Sequence, residues 1–234
     1  MILYSYFRSS AAYRVRIALN LKGIDHELRC VNLLDDGGEQ RKPEYFEINP
    51  QGLVPTVVDG DTVLTQSLAI LEYIEETHPQ PPLLPPAAKD RAHVRALADI
   101  IACDIHPLNN LRVVNFIKHT AGPNEGIHLL WYRYWLYEGF FAFQELLKRR
   151  AAPGSYCFGD SPTLADVCLI PQIYNALRFD FNLALFPVLA AIYERCLELD
   201  AFARAAPENQ PDCPGRAAAM PGDFRRGQAG VASK

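Results

Sequence analysis

Residues 79–86 read Pro79-Gln80-Pro81-Pro82-Leu83-Leu84-Pro85-Pro86. Proline has no amide hydrogen to give a helix or a central strand, and its ring clashes with a preceding helical turn. Five prolines in eight residues stop any regular element and act as a semi-rigid spacer. A domain boundary is therefore expected there, with residues 1–80 on one side, a linker at 81–88, and residues 89–211 on the other. A chain of 234 residues is long enough for two modest domains.

The pattern differs on the two sides. Before the prolines, strand and helix signals alternate. Residues 1–6 and 27–33 read as strands, and 10–22 as a helix with Val15, Ile17, Ala18 and Leu21 on helical spacing, closed by Gly23. Residues 35–40 read as a loop and 43–48 as a short helix. Residues 54–59 and 62–65 flank Gly60-Asp61 as a hairpin, and 67–78 form a covering helix. The order β-α-β-α-β-β-α implies a four-stranded mixed sheet with helices on its faces. After the prolines no strand signal remains: 89–119, interrupted by Pro107, and 125–150, 163–179 and 186–197 all read as helices. The fold class is thus an α/β domain followed by an all-α domain. Residues 212–234 have no periodicity and read as a flexible tail.

Composition excludes several functions. The formal charge of −4 gives no basic surface for nucleic acid. No apolar run approaches the ~18–20 residues of a membrane span, and Arg8, Arg14 and Arg16 come too early for a secretory signal. A cytoplasmic protein is expected. The six cysteines form no CxxC pair and no metal spacing, so they read as small buried hydrophobes and no metal site is expected.

Three segments of the first half carry chemistry. Ser9-Ser10 sits where the first strand hands over to the first helix. Free N–H groups and the helix dipole favour an anion there, a thiolate included, although a plain helix cap explains the serines equally well. In Asn49-Pro50-Gln51-Gly52-Leu53-Val54-Pro55-Thr56, a cis Pro55 would turn the backbone N–H and C=O of Val54 outward, free to pair with an extended peptide. An ordinary trans proline opening an edge strand is the other reading. Gln66-Ser67 opens the third helix and suits a carboxylate, or again a cap.

Together with Asp104-Ile105-His106-Pro107-Leu108-Asn109-Asn110, the stretch FGDSPTLADVCLIPQ (158–172) and NALRF (175–179), these segments resemble the zeta class of cytosolic glutathione transferases over about residues 1–210. The resemblance implies a thioredoxin-like first domain with glutathione as cofactor. It gives Ser9 to the thiolate, with Ser10 assisting and Tyr6 as the alternative. Val54 and cis Pro55 would face the tripeptide backbone, Gln66 and Ser67 its γ-glutamyl end, and Gln40 its glycyl end. His106, Asn110 and Arg112 match positions near the ligand, and Arg8 and Arg178 would take substrate carboxylates. The implied activity is cis–trans isomerisation of maleylacetoacetate in tyrosine catabolism. The alternatives are maleylpyruvate as substrate, or general glutathione transfer and haloacid dehalogenation. A homodimer and a small acidic keto-alkene are the implied partners. One departure is Ala11, where many zeta members carry cysteine. Thr163-Leu164-Ala165-Asp166 reads as a capping box, which assigns Asp166 to folding rather than to chemistry.

Overall fold

The computed structural model describes residues 1–120, 126–149 and 154–214. The strands β1 (Ile2–Ser5), β2 (Glu27–Cys30), β3 (Thr56–Asp59) and β4 (Thr62–Thr65) form one sheet in the order β2-β1-β3-β4. β1 and β2 are parallel, and the other pairs are antiparallel. Helices α1 (Ser10–Leu21) and α3 (Ser67–Thr77) cover one face, where Leu3 and Val57 pack with Val15, Leu19, Ile70 and Ile74. Side chains alternate along a strand, so Tyr4 points the other way and meets Tyr45 of α2 (Pro43–Ile48). β2 is shorter than its apolar run implied. Its pairing ends at Ser5↔Cys30 because β1 stops there and Tyr6 turns away, leaving no strand to pair with.

The second half is helical among the described residues: α4 (Ala88–Asp99), α5 (Leu111–Thr120), α6 (Ile127–Lys148), α7 (Leu164–Leu177), α8 (Pro187–Leu197) and α9 (Asp200–Ala205). The helical stretch over 89–119 is interrupted, as its proline implies. Pro107 has no N–H to donate, and the chain widens into a π turn over Ile100–Ile105, where His106 N–H reaches back five residues to the Ile101 carbonyl at 2.9 Å. The six-residue α9 had no clear sequence signal. It packs on α1, with Asn20 Nδ2 donating to the Ala201 carbonyl at 2.9 Å.

The two halves share one core. Tyr13, Ile17 and Ala18 of α1 and Leu71 of α3 pack with the helices of the second half. Each fully buried large apolar side chain contributes about 1.5–3 kcal/mol, so separating the halves is costly. The proline-rich segment is packed as well. Leu83 and Leu84 are buried, and their N–H groups donate to the Glu75 carboxylate at 3.0–3.1 Å. Glu75 pairs with the buried ammonium of Lys22 at 2.7 Å. Of the segment read as a tail, Asp212 and Cys213 fold back onto the sheet half, with Phe7 N–H donating to Asp212 at 2.9 Å; residues 215–234 lie outside the described residues.

The capping box forms at α7. Asp166, fully buried, accepts from Thr163 N at 2.8 Å, Thr163 Oγ1 at 2.9 Å and Cys157 N at 2.9 Å. Removing it strands buried donors, each costing about 1–3 kcal/mol. Asp166→Ala is expected to lower the unfolding free energy by roughly 3 kcal/mol and to leave the activity of the folded fraction nearly unchanged. Denaturant melts and activity per folded molecule check this; an unshifted melt refutes it.

Candidate active site

The first turn of α1 opens onto a cleft of about 730 Å³ between the two halves. Ser9 is the N-cap, its Oγ accepting from Ala12 N at 3.2 Å. A hydroxyl has one proton and two lone pairs, so this bond leaves the proton free to donate into the cleft. Capping the helix and donating to an anion are therefore compatible in one residue. Ser10 is different. It lines the cleft but its Oγ donates to the Pro171 carbonyl of α7 at 3.4 Å, so its proton ties α1 to α7 rather than assisting at the cap. The Tyr6 hydroxyl accepts from Arg8 Nη2 at 3.2 Å, and Arg8 also lies over the Phe7 ring, 4.9 Å from its centroid.

The loop before β3 is held from one side. The Leu53 carbonyl accepts from Tyr45 Oη at 2.7 Å and Asn49 Nδ2 at 2.8 Å. Gly52 sits at φ +60°, and a Cβ there would meet the Gln40 carbonyl at 3.0 Å and the Phe46 ring at 3.2 Å, so glycine is required. The Val54–Pro55 bond is cis. Val54 N–H and C=O make no hydrogen bond among the described residues, and Val54 lines the cleft. Gln40 reaches the same space with Nε2 on the Leu33 carbonyl at 3.4 Å; its buried Oε1 has no partner there. A backbone donor and acceptor left free beside a buried unpartnered amide oxygen suit a peptide ligand such as glutathione.

Gln66 and Ser67 do not line the cleft wall. Gln66 is joined to it through Gln51, its Nε2 donating to Gln51 Oε1 at 2.8 Å. Gln66 is held at φ +68°, a conformation that a non-glycine residue adopts only under constraint. Ser67 Oγ accepts from Nη1 of the buried Arg14 at 3.1 Å, which leaves its proton, too, free to donate. Arg14 Nε and Nη2 have no partner among the described residues.

From the helical half, His106, Asn110, Arg112 and Arg178 all reach the cleft; from the sheet half so does Arg41, which no sequence motif marks out. Asn110 doubles as a cap, its Oδ1 accepting from Arg112 N at 3.1 Å. Arg178 is steadied by Asn175 Oδ1 at 2.9 Å. With Arg8, Arg41, Arg112 and Arg178 on its walls and no aspartate or glutamate among the described lining residues, the cleft is positive in a chain of charge −4. Arginine's planar fork suits carboxylates. Burial, then the Arg14 charge, push the His106 imidazole down to about 3, so it is neutral at neutral pH. A second hollow, about 420 Å³ against α6 and α8, contains none of these residues.

The family model for the glutathione S-transferase N-terminal domain matches residues 8–77. A probable maleylacetoacetate isomerase of Vibrio cholerae is 50% identical over 91% of this chain and 98% of its own. The chain belongs to the zeta class of the glutathione transferases. A solved maleylpyruvate isomerase of that class, in its holo form, superposes with a TM-score of 0.87 at 46% identity, covering 91% of this chain and 99% of its own. A maleylacetoacetate isomerase from Methylobacterium extorquens AM1, solved with malonate and glutathione, gives a TM-score of 0.86 at 44% identity over 92% of this chain and all of its own. In this zeta-class chain Ala11 occupies the first turn of α1 beside the Ser9 cap.

His106 makes stability pH-dependent. Its folded value near 3 lies below the ordinary 6.5, so between these the unfolded chain binds more protons. The contribution is complete above about pH 6.5 and lost as pH falls toward 3. His106→Asn is expected to flatten the fall of the urea midpoint between neutral pH and mild acid. An unchanged slope refutes the assignment.

Proposed function

We propose that this chain is a glutathione-dependent cis–trans isomerase of maleylacetoacetate. The observation that carries the reading is the pairing of an α1 N-terminus and a free Ser9 hydroxyl with four arginines in one cleft that has no acidic residue among its described lining residues. When bound, glutathione supplies a sulfur anion that adds reversibly to an alkene carbon, making the double bond rotatable with no net oxidation or hydrolysis. The chain's own thiols do not suit that role. Burial pushes all six upward, at Cys30, Cys103, Cys157, Cys168, Cys196 and Cys213, whereas a nucleophilic cysteine needs a lowered value.

In this reading Ser9 donates its proton to the sulfur, and the N–H groups of α1 lower the cost of its charge. Val54 pairs its backbone with the tripeptide, ahead of Pro55. Gln40 takes the glycyl end. Gln66 and Ser67, with Arg14 behind Ser67, take the γ-glutamyl end. His106, Asn110 and Arg112 flank the ligand from the helical half, His106 as a neutral hydrogen-bonding group. Arg8 and Arg178 hold the substrate carboxylates and face the charge that develops on the keto oxygen, where fixed cationic donors act most strongly. Ser10 is assigned to the α1–α7 contact. Maleylpyruvate is the second candidate substrate, favoured by the holo relative of that name. We extend the proposal to a cytoplasmic homodimer acting in tyrosine breakdown; no helix among the described residues is long and apolar enough to cross a membrane.

Isomerisation of maleylacetoacetate, followed with and without glutathione and in parallel with maleylpyruvate, tests the reading. Turnover should require glutathione; no turnover, or turnover indifferent to it, rejects the proposal. Ser9→Ala should lower kcat/KM about 10²-fold, the usual scale for losing one donor to a developing anion. Arg178→Met should act mainly through a raised KM for the acidic substrate, and steady-state kinetics separate the two effects.

A further inference from the structure

The loop over residues 6–9 joins β1 to α1 and carries Arg8 and Ser9 into the cleft. Its backbone is held from the side away from the cleft. Arg16, buried in α1, donates Nη2 to the Phe7 carbonyl at 2.9 Å and Nη1 to the Tyr6 carbonyl at 3.4 Å and to Ser5 Oγ at 2.9 Å. Ser9 N–H donates to the Tyr6 carbonyl at 3.0 Å. The Phe7 N–H is taken by a residue from the far end of the sequence, Asp212 Oδ2, at 2.9 Å.

The approach of Asp212 is itself built. Arg16 Nε donates to the Ala205 carbonyl at 3.0 Å, so one guanidinium grips both the loop and the end of α9. Buried Gln210 donates Nε2 to the Arg204 and Ala206 carbonyls at 2.8 and 3.0 Å, which fixes the turn after α9. Cys213 then packs against the cluster of Tyr6, Phe7, Val31, Tyr45 and Val54. Burial, then the charge of the same Asp212 carboxylate, push the Cys30 thiol up to about 11. A charged acceptor on a backbone N–H makes a short, directional bond, and Phe7 is the residue immediately before Arg8.

We propose that Asp212 is a positioning residue: by holding the Phe7 N–H it sets the direction in which Arg8 and Ser9 leave the turn, and so the geometry of the substrate end of the cleft. The activity part of this inference rests on the isomerase reading; the tether does not. A misplacement of about 1 Å at a reacting centre costs on the order of 10²-fold in rate, so a loosened loop is measurable.

The test uses the full chain with Asp212→Ala and Asp212→Asn, the second keeping an acceptor oxygen. Four quantities are read: hydrogen exchange of the peptide containing Phe7, glutathione affinity by calorimetry, kcat and KM for maleylacetoacetate, and the melting temperature. Asp212→Ala should speed exchange at Phe7 and lower kcat/KM at least tenfold, mostly through KM of the acidic substrate. Glutathione affinity should stay within about threefold, because the tripeptide backbone is held elsewhere. Asp212→Asn should restore most of the activity and the protection. Unchanged exchange at Phe7 with wild-type kinetics in Asp212→Ala overturns the proposal. So does a loss in both variants that only follows the melting temperature, the mark of a purely structural role. If the wild type itself shows no isomerase activity, the functional reading fails while the exchange measurement still decides the tether.

Discussion

Helix α1 is buried from Ala12 through Leu19, with only its first turn opening onto the cleft. One side rests on the sheet and another on the helices of the second half. A helix so enclosed has nowhere to send its charges, yet it carries Arg14 and Arg16 inward. Buried cations are tolerated only when their donors find acceptors. Arg16 finds them in the carbonyls of the loop that leads into α1 and in the end of α9. Arg14 finds one, at Ser67 on the first turn of α3. The same helix therefore presents its capped N-terminus to the cleft, locks the loop before it, and ties its second turn to the N-terminus of α3.

Much of this was legible from residue patterns, for physical reasons. Strand and helix periods respond to local chemistry, and the elements of the sheet half begin and end near their apolar runs. Pro107 marked the break in the long helix because a missing N–H acts on its own turn. The Ser9 cap, the free Val54 backbone and the buried Asp166 box were visible for the same reason: each is made by residues within a few positions of one another.

What was not legible is long-range. Asp212 meets Phe7 across 205 positions, and nothing in either segment announces the other. Ser10 looked like a second anion donor until Pro171 of α7 took its proton. The prolines separate α3 from α4, but the burial of Leu83 and Leu84 depends on Glu75 and Lys22, which come from the sheet half. Arg41 is an ordinary surface-type residue in sequence; only the approach of the helical half turns it into a wall of the cleft. The inward arginines did leave a trace, since two charges two positions apart inside the apolar run Tyr13–Leu19 cannot both face solvent on a helix packed on two sides.

The electrostatics of the cleft explain why a borrowed sulfur suits this architecture better than a resident one. A cleft with four arginines, a helix N-terminus and no described carboxylate stabilises any anion that enters it. His106 adds no competing charge, because burial keeps it neutral. The six thiols present do not offer a resident nucleophile, since desolvation raises each of them, the three buried ones and Cys30, Cys103 and Cys213 alike. In the proposed reading, a thiol arriving on a peptide paired to the free Val54 backbone enters the positive field without displacing any core side chain. With Ala11 in the first turn of α1, that turn contributes no thiol of its own, and in the proposed reading selectivity for the sulfur anion falls on the Ser9 hydroxyl and the helix end it caps.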